Sequence, residues 1–371
     1  MKRYFSSLIA YTTLILFAQL LMGWGYTGHY KINFNAQLSY NQSMVQFYDW
    51  SQQLANHASD ADERKSWDPD EGPKHYIDID NYPGFIENGN ISQNISDLIA
   101  TYGWSFVEDQ GILPWATKTT FDSLQSCFER QDWDKALLFA ADLGHYVADG
   151  HMPLHITRNY NGQYTGNDGI HSRYESGMVN AYNSNILYSG MPVVVIPDVP
   201  DYIFNYIYQN YTFIDPLLAA DDYASDIAGS TSSDYYYELL WQETAEFTNE
   251  LFQQASHRLA ELIFTAWVNA GSPQINATYY PDLLLEKEHF RCFPNPASET
   301  LTVDVHNSLK GPAIFTIYDR SGLVANRFEK VGSISDDGFL QMDISALPQG
   351  LYFIVCETNS GKSSRKLMIS R

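Results

Sequence analysis

Apolar residues recur at three- and four-residue intervals over residues 134–149 (DKALLFAADLGHYVAD). A longer run of the same kind, residues 235–270, carries Leu239, Leu240, Phe247, Leu251, Leu259, Leu262 and Ile263. This period lines one face of a helix, so both segments are predicted helical. Between them, stretches rich in Tyr, Asn and Gly, such as residues 159–169, read as loops. The texture changes after Gly271, Ser272 and Pro273. Residues 301–305, 313–318, 340–344 and 351–355 are short runs of β-formers, punctuated at 307–311, 319–322 and 348–350. Short strands at regular spacing predict a small β-sandwich of about eighty residues. The expected architecture is multidomain: a mostly α-helical body over residues 24–280, then a linker and a small all-β sandwich over residues 281–371.

The first residues read as an address. Lys2 and Arg3 precede an apolar stretch, residues 8–22, that ends at Gly23. The stretch is interrupted by Tyr11, Thr12, Thr13 and Gln19 and is short for a membrane span. A secretory signal peptide over residues 1–23, cut after Gly23, is the expectation, leaving Trp24 as the new amino terminus.

Composition narrows the classes. With 44% hydrophobic and 15% aromatic residues, the 371-residue chain is neither disordered nor of low complexity. Its 22 Lys and Arg stand against 44 Asp and Glu, a net charge of −22, which opposes broad basic-patch binding of nucleic acid. Three cysteines are too few for a disulfide framework, although Cys292 and Cys356 could pair in an oxidising compartment. There is no Cys-x-x-Cys, so any metal must rest on His and carboxylate.

Such residues do occur in suggestive spacing. His145 and Asp149 lie four apart in the helical run and project from one face, as ligands of Zn²⁺ or as an ordinary helix pair. Pro153 is expected to end that helix and bring His155 back toward its end. His171 and Glu175 repeat the four-residue spacing. Upstream stand Asp62, with Asp60 as a rival carboxylate, and His75 in His-Tyr-Ile-Asp. Cleavage after Gly23 would expose the Trp24 α-amine, five residues before His29; an α-amine with a pKa near 8 binds metal as the neutral form.

Taken together, Trp24-Gly-x-x-Gly-His29, Asp62, His75-Tyr-Ile-Asp, His145-x3-Asp149-x5-His155 and His171-x3-Glu175 resemble the site of the zinc-dependent phospholipase C and S1/P1 nuclease superfamily. The resemblance spans about residues 24–270 and implies a mostly helical fold with three zinc ions. It assigns one ion to Asp62, His75, His145 and Asp149, and a second to the Trp24 amine and carbonyl, His29 and a bridging Asp149. The third falls to His155, His171 and Glu175. It also gives Asp62 a general-base or water-orienting role, the catalytic assignment here. Arg64 and Arg173 stand as candidate phosphate contacts or solvated surface residues.

Subfamily signals are mixed. The close Trp24–His29 spacing is similar to the nucleases, whereas Glu175 within Gly-Ile-His-Ser-Arg-Tyr-Glu is similar to the bacterial phospholipases C. Thr27, Glu63 and Gly72 stand where the lecithin-cleaving enzymes carry an acid and two aromatics, which speaks against choline capture. The tail, through Phe293-Pro-Asn-Pro296, Ile317-Tyr-Asp-Arg-Ser-Gly322, Asp343-Ile-Ser345 and Gly350-Leu-Tyr352, resembles the type A sorting domain of the Bacteroidetes type IX secretion system.

The resemblances imply a secreted zinc phosphodiesterase, with phospholipid preferred over single-stranded nucleic acid as substrate and transient contact with a membrane surface. They imply the type IX machinery as partner, no stable protein partner, and a location outside a Gram-negative cell or on its outer-membrane surface. A single-strand nuclease, a catalytically silent zinc-binding surface protein and a carbohydrate-binding adhesin are the competing classes.

Overall fold

The longest element begins where Ser233 caps it: the hydroxyl oxygen accepts from Tyr236 N, and the helix then runs unbroken over Asp234–Asn269. At ~1.5 Å per residue this 36-residue helix is about 54 Å long. Tyr236, Leu239, Leu240, Thr244, Thr248, Leu251, Phe252 and Ala255 form its buried stripe, and from Leu259 onward both sides are largely enclosed. These assignments come from a computed structural model, which describes residues 24–275, 290–293, 295–304, 313–319, 324–330, 339–358 and 361–370. The leader expected over residues 1–23 lies outside them.

Numbered in chain order, the principal helices are α1 (Gly25–Asn35), α2 (Leu113–Arg130), α3 (Trp133–Asp149), α4 (Val199–Tyr211), α5 (Ile214–Ala228) and α6 (Asp234–Asn269). Their ends follow local chemistry. Pro114 and Pro200 sit in the first turns of α2 and α4, where a missing N–H costs nothing. The Asp198 side chain caps α4 by accepting from Asp201 N. Gln131 and Gly229, both left-handed, close α2 and α5.

α6 packs against α1, α2, α3 and α5, and α3 against α1 and α2. α3 is the innermost of these: from Ala140 to Asp149 only Asp142 is not buried. Gly144 permits the close approach, since a Cβ there would lie 2.2 Å from Asn33 Oδ1 on α1 and 2.7 Å from Leu259 Cδ2 on α6. No helix among the described residues is long and apolar enough to cross a membrane.

α3 ends at Asp149, earlier than the sequence expectation placed its stop. Gly150 follows it, and Pro153 instead opens the one-turn 3-10 helix Pro153–His155. Proline's fixed φ suits a first helical position, so here it starts a turn rather than ending one.

The chain divides into two compact units, Met1–Tyr279 and Tyr280–Arg371. The second contains two antiparallel sheets. β1 (Arg291–Phe293), β2 (Thr300–Asp304) and β5 (Phe339–Asp343) form one, ordered β1-β2-β5. β3 (Ala313–Asp319), β4 (Val324–Lys330), β6 (Gly350–Thr358) and β7 (Gly361–Ile369) form the other, ordered β4-β3-β6-β7. Alternate residues of both sheets meet in one core: Leu301, Val303 and Met342 from the first, Phe315, Ile317, Ile354 and Leu367 from the second. The mostly helical chain with a small β-sandwich at its carboxyl end is thus the observed fold. Cys127, Cys292 and Cys356 are all unbridged.

Candidate metal centre

Trp24 shows how closely α1 is fitted to α3. Its indole Nε1 donates to Ala148 O at 2.8 Å, and its carbonyl accepts from Gly28 N at 3.0 Å. Its ring packs edge-on to Phe252 at 4.4 Å. Gly28 is required here, because a Cβ would lie 2.7 Å from Trp24 Cβ. One residue later, His29 is fully buried and stacks on His145 with ring centroids 3.9 Å apart.

Asp149, the last residue of α3, lies at the middle of the cluster and is fully buried. His29 Nε2 is 3.5 Å from its Oδ1, and His155 Nδ1 is 3.1 Å from the same oxygen. His75 Nδ1 and His145 Nε2 approach Oδ2 at 3.0 and 3.2 Å. Asp62, on the short helix Asp60–Arg64, brings Oδ1 to 3.6 Å from His75 Nδ1 and 3.7 Å from His145 Nε2. Asp60 points elsewhere, to His57 Nδ1 at 2.7 Å.

A further cluster adjoins this one. His171 and Glu175 are one turn apart on the segment that passes from α-helix (Ile170–Ser172) to the wider π-helix Arg173–Met178. Their Nε2 and Oε2 atoms are 3.1 Å apart, and His155 Nε2 lies 3.3 Å from His171 Nε2 and 3.6 Å from Glu175 Oε2. Three donor groups result: His29, His145 and Asp149; Asp62, His75 and His145; and His155, His171 and Glu175. In each, the donor atoms lie within 4.8 Å of one another.

Backbone carbonyls orient three of the imidazoles. His145 Nδ1 faces Ala58 O at 2.7 Å, His155 Nδ1 faces His75 O at 2.9 Å, and His171 Nδ1 faces Tyr160 O at 2.9 Å. A ring that donates from Nδ1 keeps its lone pair on Nε2, the arrangement typical of metal-bound histidine. When both rings are neutral, His155 and His171 point two lone pairs and the Glu175 carboxylate at one spot, which a cation stabilises or, without one, a proton on His155. Both His29 nitrogens, Asp62 Oδ2 and Glu175 Oε2 are buried without a hydrogen bond. Each such group costs about 1–3 kcal/mol if left unsatisfied. Divalent cations bound by imidazole and carboxylate would satisfy them, and this donor set suits zinc.

Electrostatics keep the donors in opposed states. Burial and the neighbouring His145 push His29 down to about 3, so it is a neutral imidazole. Burial opposes protonation of His145 and His155, yet Asp149 and Asp62 raise the first to about 9, while Asp149 and Glu175 raise the second to about 10. Asp62 stays below the usual carboxylate range: burial works against ionisation, and His145, His29 and Lys65 outweigh it.

The structure also separates residues the sequence left together. Arg64 is held by Asp142 at 3.0 Å and by Glu71 at 3.4 Å. Arg173 makes a two-oxygen pair with Asp221 at 2.8 and 2.9 Å, and its Nη1 donates to Asp168 O. Neither arginine is a solvated surface group or available to a phosphate, since both serve protein carboxylates. Lys65 is the cation that sequence reasoning missed: its Nζ lies 2.6 Å from Asp62 Oδ1. Its i,i+3 spacing from Asp62 was the available signal. Tyr160, whose carbonyl holds His171, presents a ring 6.3 Å from that imidazole and 45% exposed.

Comparison with known proteins gives a family assignment only for the carboxyl-terminal unit. Residues 291–370 match the family described as the secretion system C-terminal sorting domain, and that sorting domain is present in this chain. Among solved structures, the chain is similar to the alpha toxin from Clostridium absonum, with 11% identity, 94% of this chain and 92% of that one covered, and a TM-score of 0.42. It is also similar to the alpha-toxin of Clostridium perfringens avian strain SWCP, with 9% identity, 93% and 98% covered, and a TM-score of 0.43. No curated protein matches the chain.

Proposed function

We propose that this protein is an exported hydrolase that cleaves phosphodiesters at a centre holding three zinc ions. The reading rests on one observation: three His and carboxylate donor groups lie side by side in the interior, with inward nitrogens and oxygens that lack partners. Asp62, His75, His145 and Asp149 would hold one ion, with Asp149 shared toward a second at His29 and the mature Trp24 amine and carbonyl. His155, His171 and Glu175 would hold the third. When bound, such ions supply positive charge to the phosphoryl oxygens and lower the pKa of water.

The remaining work belongs to the chain. Asp62 Oδ2 has no hydrogen bond and its carboxyl is held ionised. A carboxylate with a lowered pKa is a weak proton acceptor, so Asp62 orients the attacking water more than it carries the proton away. Lys65 pairs with Asp62 Oδ1 at 2.6 Å and helps keep that carboxylate ionised. The surrounding histidines stay fixed through Ala58, His75 and Tyr160 carbonyls, so binding needs little rearrangement.

Phospholipid is the preferred substrate, because a net charge of −22 disfavours a long polyanion except at the ions themselves. Single-stranded nucleic acid is the second reading, supported by the exposed Tyr160 ring beside His171, a surface on which a base could stack. The sorting domain delivers the enzyme through the type IX machinery to the outer-membrane surface or the medium of a Gram-negative cell.

Purified chain beginning at Trp24 should be offered phosphatidylcholine, phosphatidylethanolamine, single-stranded DNA and RNA, with and without chelator. Chelator-sensitive release of diacylglycerol supports the first reading, and nucleotides alone would replace it with the second. No turnover on any ester would leave a zinc-binding surface protein.

A further inference from the structure

His75 differs from the other imidazoles of the centre in the nitrogen it turns inward. His145, His155 and His171 give Nδ1 to backbone carbonyls, so Nε2 faces the donor groups. His75 is reversed. Its Nδ1 lies 2.9 Å from His145 Nε2 and 3.0 Å from Asp149 Oδ2, while its Nε2 lies 3.4 Å from Glu71 Oε1. That nitrogen is buried without a hydrogen bond, and Glu71 is the acceptor nearest to it.

Glu71 is only 1% exposed, and three side chains hold it. Tyr146 OH donates to Oε1. Lys74 Nζ reaches Oε2 at 2.8 Å, and Arg64 Nε reaches the same oxygen at 3.4 Å. Arg64 is tied in turn to Asp142, and Tyr146 lies on α3 next to His145. The carboxylate is thus fixed in the wall behind His75 by a network that does not reach the inward donor atoms.

Asp149 and His145 face the Nδ1 side of the His75 ring and Glu71 faces the Nε2 side, so the two carboxylates compete for one ring proton, and a proton on His145 Nε2 works with Glu71. A proton on Nδ1 would satisfy Asp149 and block the nitrogen from a cation. A proton on Nε2 satisfies Glu71 and leaves the Nδ1 lone pair free. We propose that Glu71 is a positioning residue: by accepting from His75 Nε2–H it commits His75 to offer Nδ1 to the cation shared with Asp62, His145 and Asp149. This rests on the metal-centre reading above and adds to it the group that sets one ligand's tautomer.

Two measurements test it on the full mature chain. In the metal-free protein at about pH 8, the ring ¹⁵N shifts of His75 should show the proton on Nε2 in wild type and a larger Nδ1–H share in Glu71→Gln; a proton on Nδ1 in wild type, or the same tautomer in both, overturns the proposal. In Glu71→Gln, Zn²⁺ titrated against a chromogenic chelator should bind one site about 10–100-fold more weakly, with the other sites within about twofold. Affinities unchanged at every site would also overturn it. A wild-type chain that takes up no Zn²⁺ refutes the metal centre instead, and the metal-free tautomer still decides the hold of Glu71 on the ring.

Discussion

Loading the centre with zinc near neutral pH should expel about two protons from buried histidines, besides most of one from the mature Trp24 amine. Without metal, His145 and His155 are protonated there, held up to about 9 and about 10 against burial by Asp149, Asp62 and Glu175. His29, pushed down to about 3 by burial and by His145, has no proton to lose. Asp62 and Asp149 are already ionised, burial being outweighed by the neighbouring imidazoles. Each cation accepts only the neutral ring or amine, so these protons must leave, and the overall binding constant should rise about 1,000-fold per pH unit below about pH 8 and about 100-fold between about pH 8 and 9. The slope should fall to about tenfold per unit between about pH 9 and 10 and flatten above.

The metal-free fold has the opposite trend. A raised imidazole contributes stability in full below its unfolded value of about 6.5, and that contribution is lost as pH climbs through the folded value. The metal-free protein should therefore weaken between about pH 6.5 and 10, the range over which the loaded protein gains affinity. Titration calorimetry at about pH 7.4 in buffers of different ionisation heat reads the proton count directly. His145→Ala should lower it by about one. Release of no more than about one proton from wild type would mean that the rings are neutral before metal arrives, and the electrostatic reasoning would fail.

Other outcomes follow from the packing. Gly144→Ala places a methyl against Asn33 and Leu259 and should destabilise the fold by about 1–3 kcal/mol in denaturant unfolding, where a change within error would refute the close approach. Arg173→Met strands the buried Asp221 carboxylate and should cost about 3–5 kcal/mol, with part regained in the double variant Arg173→Met, Asp221→Asn. A chain that retains residues 1–23 has an amide at Trp24 in place of an amine and should bind one ion fewer by elemental analysis. Equal ion counts in precursor and mature forms would remove Trp24 from the ligand set.

What could be read from sequence depended on how local the determining contact is. His145 with Asp149, and His171 with Glu175, were visible as pairs because four-residue spacing on a helix is set by backbone geometry alone. Glu71 stands four before His75, the same interval, but it precedes a 3-10 turn (Gly72–His75) rather than lying on an α-helix, and Tyr146, which holds its carboxylate, is remote in sequence. Its part was therefore hidden. Arg64 and Arg173 were ambiguous because their acids, Asp142 and Asp221, are remote in sequence.

The strands divide in a similar way. Those read from short runs of β-formers were β2, β3, β5 and β6, whereas β1, β4 and β7 were missed, and these three, like β5, lie at sheet edges. Polar edge strands such as Val324–Lys330 and the first half of Gly361–Ile369 guard against edge-to-edge pairing and so lack the apolar alternation that marks a strand.

The donor groups are drawn from α1, the helix Asp60–Arg64, the turn Gly72–His75, α3, the turn Pro153–His155 and the segment after Gly169, while the three cysteines form no disulfide. An unfolded chain scatters these atoms, so ions held by them would act as reversible cross-links across more than a hundred residues, in place of the disulfides an exported protein often carries. A ligand that binds only the folded form adds about 2.7 kcal/mol when present at 100 times its Kd. On the proposed reading, scarcity of zinc outside the cell would then be felt twice, as a silent enzyme and as a chain newly open to proteases.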